Sequence, residues 1–315
     1  MTEAMTSESG RRRFAWLAVG LSILMPGVGH VYCGKLLRGL VYGLLYGVAI
    51  PIVLGLLAYV GPASTALFGF LMVAATLGIV VVAAIDSYQL ARRTKPDYEP
   101  KGYNCLAIYI LLGLMIQGSC LGYTLHVRSS LFEAFRVTSA SEYPTIALND
   151  RILVDKTAYQ KADPGIGDTV LFRPPDRNWR IHYIKRIVAL AGDTVKIEDG
   201  LLYINGKKLP RRRVGEEKTQ LGISDETANT IEGIVYEETN GAATYRVFSA
   251  PSPNDPTQDL AQMTVPDHHC FVLGDNRNYS WDSRHFGPVP CAVIKGRADY
   301  VYWPADRWSR FGRLR

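Results

Sequence analysis

At 315 residues and 48% apolar, the chain is too apolar for a purely soluble protein, and a formal charge of +6 with no basic stripe interleaved with aromatics excludes a nucleic-acid-binding surface. The apolar residues crowd into runs before residue 126, while the remainder alternates in hydropathy and carries most of the charge. This split predicts an N-terminal α-helical membrane region over 1–126 and a globular region over 127–315, the latter of roughly 190 residues and able to bury its own core.

Arg11, Arg12 and Arg13 precede an apolar run from Phe14 to Tyr32 that is broken by Pro26-Gly27-Val28-Gly29. A full span needs about 20 apolar residues, so this run is marginal. Cleaner spans follow at about 40–60, 65–85 and 103–125. The links at 35–38 and 92–101 are basic, and the link at 61–64 is uncharged. The positive-inside rule then places the first two in the cytoplasm, and the third link and the globular region outside. With the N-terminal arginines also inside, 14–32 must enter and leave on one face, as a re-entrant segment; four full spans with the N-terminus outside is the alternative. Further spans follow and no Ala-x-Ala site is near, so the run is not a cleavable signal peptide. Asp86, at the cytoplasmic end of its span, is expected to be an interfacial residue. Cys270 and Cys291 both fall in the globular region, where an extracytoplasmic location would allow a disulfide. No Cys-x-x-Cys or His-x-x-x-His spacing points to zinc, and the adjacent His268 and His269 point apart on a strand.

The globular region reads as many short strands: 151–156, 168–172, 181–190, 194–198, 201–204, 245–248 and 271–273. Asp199-Gly200 and Asn205-Gly206 are hairpin turn pairs. Little helix is expected, so the region is mainly β, Greek-key or barrel-like. A polar insertion over about 210–260 reads as loops or a small excursion.

Three stretches carry chemistry. Thr138-Ser139-Ala140-Ser141-Glu142-Tyr143-Pro144-Thr145 is a hydroxyl-rich bend that Pro144 keeps from continuing as helix. In His182-Tyr183-Ile184-Lys185-Arg186-Ile187, period two places Lys185 on one face with Ile181, Tyr183, Ile187 and Ala189. Loss of hydration disfavours an ammonium on such a face, which is how a lysine becomes a general base; an edge lysine reaching to water is the other reading. The third stretch, Gly274-Asp275-Asn276-Arg277-Asn278-Tyr279-Ser280-Trp281-Asp282-Ser283-Arg284, is a turn denser in charged and hydroxyl groups than a surface loop requires.

These pieces, with Asp150-Arg151-Ile152-Leu153-Val154, Gly167-Asp168-Thr169-Val170, Gly192-Asp193 and Arg310-Phe311-Gly312, resemble the bacterial type I signal peptidases over about 130–315. The resemblance implies a membrane-bound serine endopeptidase that removes signal peptides from exported preproteins after an Ala-x-Ala-like site. Its catalytic domain would lie outside the cytoplasmic membrane, with no cofactor and no metal. Ser141 would be the nucleophile and Lys185 its base. Ser139 would serve the oxyanion, and Ser280 would orient Lys185. Asp282, Arg284 and Arg186 would form one supporting ion network, and the Asp275-Asn276 turn would brace the site. Signal peptides, the lipid bilayer and the secretion translocon are the implied partners.

Two residues depart from the family pattern, and the membrane half exceeds its usual one or two spans. Ala140 replaces the usual Gly, and Glu142 replaces the usual Met after the nucleophile. Pointed inward, Glu142 would hold Lys185 as an ammonium and impair the base; pointed to solvent, as expected, it would alter substrate preference. The alternatives are a signal-peptidase-like membrane protein that binds exported chains without cutting them, a transporter or scaffold working through its membrane half, and a Ser-His-Asp hydrolase using His182. The last lacks a Gly-x-Ser-x-Gly elbow.

Overall fold

The structure is a computed structural model describing residues 13–49, 62–95, 98–160, 162–174, 181–221, 230–250 and 259–314. The chain divides into two units, Met1–Val127 and Arg128–Arg315.

In the first unit the run over 14–32 forms two short helices, α1 (Ala15–Leu24) and α2 (Val28–Tyr32), separated at Pro26-Gly27. Gly27 has φ +104°, and a Cβ there would meet the Gly39 carbonyl oxygen at 2.1 Å, so only glycine fits this bend. Helix α3 (Leu36–Leu44) continues as a π-helical turn, Leu45–Ala49. Residues 50–61, which hold the rest of the expected 40–60 span, lie outside the described residues. Helix α4 (Pro62–Arg93) runs past the expected limit at 85, ending on Arg92 and Arg93, whose charge complements the carbonyl end of the helix. Helix α5 (Leu106–His126) leads into a second π-helical turn, Val127–Leu131. Among the described residues two segments are long and apolar enough to cross a membrane, Val73–Arg93 and Leu106–Leu131.

Asp86 is more than an interfacial residue. Its carboxylate lies 3.0 Å from Nε2 of the fully buried His30 and 3.4 Å from Arg38, and it accepts from the Tyr42 hydroxyl. It therefore ties α2 and α3 to α4.

The second unit contains three antiparallel sheets, a mainly-β architecture. The largest runs β1 (Phe132–Arg136), β2 (Arg151–Asp155), β14 (Ile294–Trp303), β3 (Thr169–Phe172), β4 (Tyr183–Leu190), β12 (His269–Leu273) and β13 (Val289–Pro290), with β15 (Gly312–Arg313) also on β14. A second sheet orders β11 (Leu260–Thr264), β5 (Thr194–Glu198), β6 (Leu201–Ile204) and β7 (Lys207–Lys208). Its hairpins turn on Asp199-Gly200, φ +52° and +68°, and Asn205-Gly206, φ +52° and +74°. Positive φ at both central residues is the type I′ requirement. Apolar side chains of β3, β4 and β12 pack on both faces, so the middle of the large sheet is buried throughout.

Of the two readings of the polar insertion at about 210–260, loops or a small excursion, the third sheet matches the latter. It is a ribbon of β8 (Arg211–Gln220), β9 (Thr230–Asn240) and β10 (Ala243–Ser249). Facing charges occupy its more exposed positions, with Arg212 opposite Glu237 at 2.9 Å and Lys218 paired with Glu232 opposite it, while Val235 and Phe248 are buried. Strands β1, β11 and β14 also went unread. Cys270 and Cys291 are free thiols with their sulfurs 3.0 Å apart.

Candidate active site

Three segments of the second unit converge. The first is the turn after β1, closed by Tyr143 N–H to the Ala140 carbonyl (3.1 Å) and Ile146 N–H to the Glu142 carbonyl (2.9 Å). The second is β4, where Lys185 and Arg186 face Val170 and Thr169 of β3. The third is the turn leaving β12, whose Leu273 pairs with Arg186. A cleft of about 260 Å³ opens on them, lined by Ser139, Ser141, Ile181, Tyr183, Lys185 and Trp281 among others.

Ser141 and Lys185 are brought together, with Lys185 Nζ 2.6 Å from Ser141 Oγ. Nζ also donates to the Ile184 carbonyl (2.8 Å) and is buried, with 4% exposure. Two hydrogen bonds anchor the nucleophile's turn to the third segment: Asn276 N–H to the Ser141 carbonyl (3.0 Å) and Asn276 Nδ2 to the Ala140 carbonyl (3.2 Å). Gly274 makes this approach possible, because a Cβ there would meet Ser280 Oγ at 2.2 Å and the Ser141 carbonyl oxygen at 2.6 Å.

Ser139 lies where expected, but its hydroxyl accepts the Ser141 N–H (3.2 Å). The two donors expected at an oxyanion are thus engaged with each other. Ser280 was expected to orient Lys185; its buried hydroxyl has no hydrogen-bond partner among the described residues. The carboxylate of Glu142 is near the Lys185 amine, with Oε1 3.5 Å from Nζ.

Glu142 itself points inward, with 1% exposure, and neither carboxylate oxygen has a hydrogen-bond partner among the described residues. The expectation of a solvent-facing side chain fails because the turn folds residue 142 back toward β4. Burial pushes its carboxyl well above the ordinary carboxylate range, and the Lys185 charge is the strongest influence opposing that.

The single network expected of Asp282, Arg284 and Arg186 is two separate ion pairs. Arg186, 1% exposed, forks onto Asp275 at 2.7 and 2.6 Å and also donates to the Gly167 carbonyl (2.6 Å) and Thr145 Oγ1 (3.1 Å). The register that sets Arg186 opposite Leu273 aims it at the turn residue two positions on. Asp282 takes Arg284 in a second fork, both contacts 2.8 Å, and accepts the Gly274 N–H (2.9 Å). Burial works to raise Asp282, but Arg284, the Gly274 amide and Lys185 outweigh it and hold the carboxyl below its ordinary value. His182 lines the cleft, and its Nε2 is buried without a hydrogen-bond partner among the described residues.

Sequence reasoning passed over Thr145, which joins Arg186 to Asp275, and over Asp150 as a site residue. Asp150 is fully buried and accepts from Ala147 N–H, Ala305 N–H and Arg310, pinning the nucleophile's turn to the C-terminal segment. Both sit inside motifs already singled out, which was the available signal.

A serine hydroxyl held against a buried amine can act as a nucleophile beside a base. The family model described as Signal peptidase, peptidase S26 matches residues 107–303. The chain belongs to the signal peptidase S26 family. It is 35% identical over 208 residues to a signal peptidase I of Pseudomonas aeruginosa, covering 58% of this chain and 69% of that protein. It is 32% identical over 185 residues to a probable signal peptidase I-2 of Synechocystis, covering 58% and 67%. A signal peptidase I of Bacillus caldolyticus is 31% identical over 183 residues, covering 58% and 86%. Membership of the peptidase S26 family makes the chain a serine endopeptidase. The match begins in α5, so α1 to α4 lie outside it.

Proposed function

We propose that the protein removes signal peptides from exported preproteins by a Ser141/Lys185 dyad, cutting after an Ala-x-Ala-like junction. The observation that carries this is the 2.6 Å contact between Lys185 Nζ and Ser141 Oγ in a buried cleft. Lys185, as the free amine, takes the Ser141 proton while Oγ attacks the scissile carbonyl. The Ser141 N–H turns from Ser139 Oγ to the developing oxyanion, and the freed Ser139 hydroxyl joins it. Lys185 returns the proton to the leaving amine, then takes one from the water that releases the acyl group. Asn276, Gly274 and the Arg186–Asp275 pair hold the turn in place.

Strand β1 is an edge of its sheet, and the residues after it line the cleft. An extended peptide can pair alongside it, and the small volume favours small residues beside the cut. The basic links at 35–38 and 92–101 support a cytoplasmic face there and an extracytoplasmic second unit on a multi-pass anchor in the lipid bilayer, with the secretion translocon within reach.

The test is cleavage of a preprotein ending in Ala-x-Ala by the purified, detergent-solubilised chain, with N-terminal sequencing of the product. Cleavage at that junction, lost when both alanines are replaced by bulky residues, is expected. Cleavage indifferent to the replacement, or none at all, contradicts the proposal.

A further inference from the structure

The charges around the site pair off. Asp275 has Arg186 at 2.6 Å and Asp282 has Arg284 at 2.8 Å, which leaves Glu142 and Lys185 as each other's counter-charge at 3.5 Å. Both are shut away from water, with side-chain exposures of 2% and 5%. Glu142 receives no hydrogen bond among the described residues, so an ionised Glu142 depends chiefly on the Lys185 ammonium, with the Arg186 charge acting the same way. The groups facing the pair are Arg186 on β4, Asp275 in the turn after β12, and Asp282 with its Arg284; the buried Ser280 hydroxyl is also in that turn.

We infer that Glu142 is a positioning residue whose carboxylate pairs with the Lys185 ammonium, so that the Glu142–Lys185 pair, and not Lys185 alone, sets the acid limb of peptidase activity. This rests on the reading of Lys185 as the base.

Such a pair binds and releases protons as a unit. With one proton it exists either as the ion pair or as a neutral acid beside a neutral amine. Only the second can accept a proton from Ser141. Burial favours the neutral form, because two charges must otherwise be desolvated. Contact at 3.5 Å in a dry site favours the ion pair, as do the Arg186 charge acting on Glu142 and the Asp282 charge beside Lys185, while Asp275 and Asp282 acting on Glu142 oppose it. Every molecule in the ion-pair form is withdrawn from catalysis until the pair gives up its last proton. A neutral residue at 142 has no ion-pair form, so the brake is absent.

The experiment is kcat/KM against pH for the full chain in detergent and for Glu142→Gln and Glu142→Met. Ser141→Ala and Lys185→Ala serve as dead controls. Both Glu142 variants should reach half-maximal kcat/KM at a pH lower by at least about one unit, with roughly tenfold more activity on the acid limb and a similar alkaline plateau. Profiles that superimpose on the parent's, or move to higher pH, overturn the inference. Should the variants cleave nothing, acylation of Lys185 by acetic anhydride, read by mass spectrometry against pH in a Ser141→Ala background, gives the same answer without turnover. Lys185 should become reactive at lower pH when Glu142 is replaced, and an unchanged midpoint overturns the inference. If the parent does not cleave preproteins, the dyad reading fails while this labelling still reports on the pair; if it cleaves and Glu142→Gln changes nothing, only the brake fails.

Discussion

Asp275→Ala removes the carboxylate that neutralises Arg186, and the consequence follows from the geometry. The guanidinium is 1% exposed and cannot rehydrate. Its bonds to Asp275 at 2.7 and 2.6 Å are lost, leaving the Gly167 carbonyl and Thr145 Oγ1, both neutral. Breaking a buried pair from one side costs about 3–5 kcal/mol, because the remaining charge stays buried without compensation. For a unit of this size that corresponds to a fall in Tm of about 10 °C. The assay is thermal unfolding of the purified chain in detergent at neutral pH, followed by circular dichroism in the β region. Replacing both partners with apolar residues, Arg186→Met with Asp275→Leu, should recover much of the loss, because no charge remains stranded. A Tm for Asp275→Ala within about 2 °C of the parent's would refute the reasoning.

Gly274→Ala should lower kcat/KM by about a hundredfold with a smaller effect on Tm, since the new methyl collides with the Ser141 carbonyl oxygen and displaces the nucleophile; activity within a few-fold of the parent's contradicts this. Asp282 is held below the ordinary carboxylate value, so its stabilisation is present above about pH 4 and is lost as pH falls through the depressed folded value. Asp282→Asn should therefore be less stable than the parent at neutral pH and approach it as pH falls through the depressed folded value, and a difference independent of pH counts against the Arg284 pairing. Protein recovered from an oxidising compartment should carry a Cys270–Cys291 disulfide, detected as a linked peptide that separates on reduction; quantitative alkylation of both thiols without reductant argues the reverse.

The hairpins at Asp199-Gly200 and Asn205-Gly206 were legible because positive φ at two successive residues selects those pairs. The convergence of Ser141 and Lys185 was legible only through resemblance, since 44 residues separate them. The β8–β9 ribbon was hidden because charged and polar residues surround its few apolar positions, such as Ile231 and Val235, which cluster with Phe248 and Tyr143. The partner of Arg186 was misassigned because strand register decides it, and no local pattern encodes a contact 89 residues away. Glu142 was misread because period-two reasoning ends where the strand ends; inside a turn, side-chain direction follows backbone hydrogen bonds that the sequence does not display.

The most direct test of the dyad is a double-mutant cycle on preprotein cleavage with Ser141→Ala, Lys185→Ala and the double variant. Groups that act as one unit are strongly non-additive, each alone costing about as much as both. Both single variants should lose at least about a thousandfold in kcat/KM, and the double should lose no more than either. Losses that multiply, or a Lys185→Ala enzyme retaining most of its rate, would mean that Lys185 is not the base serving Ser141.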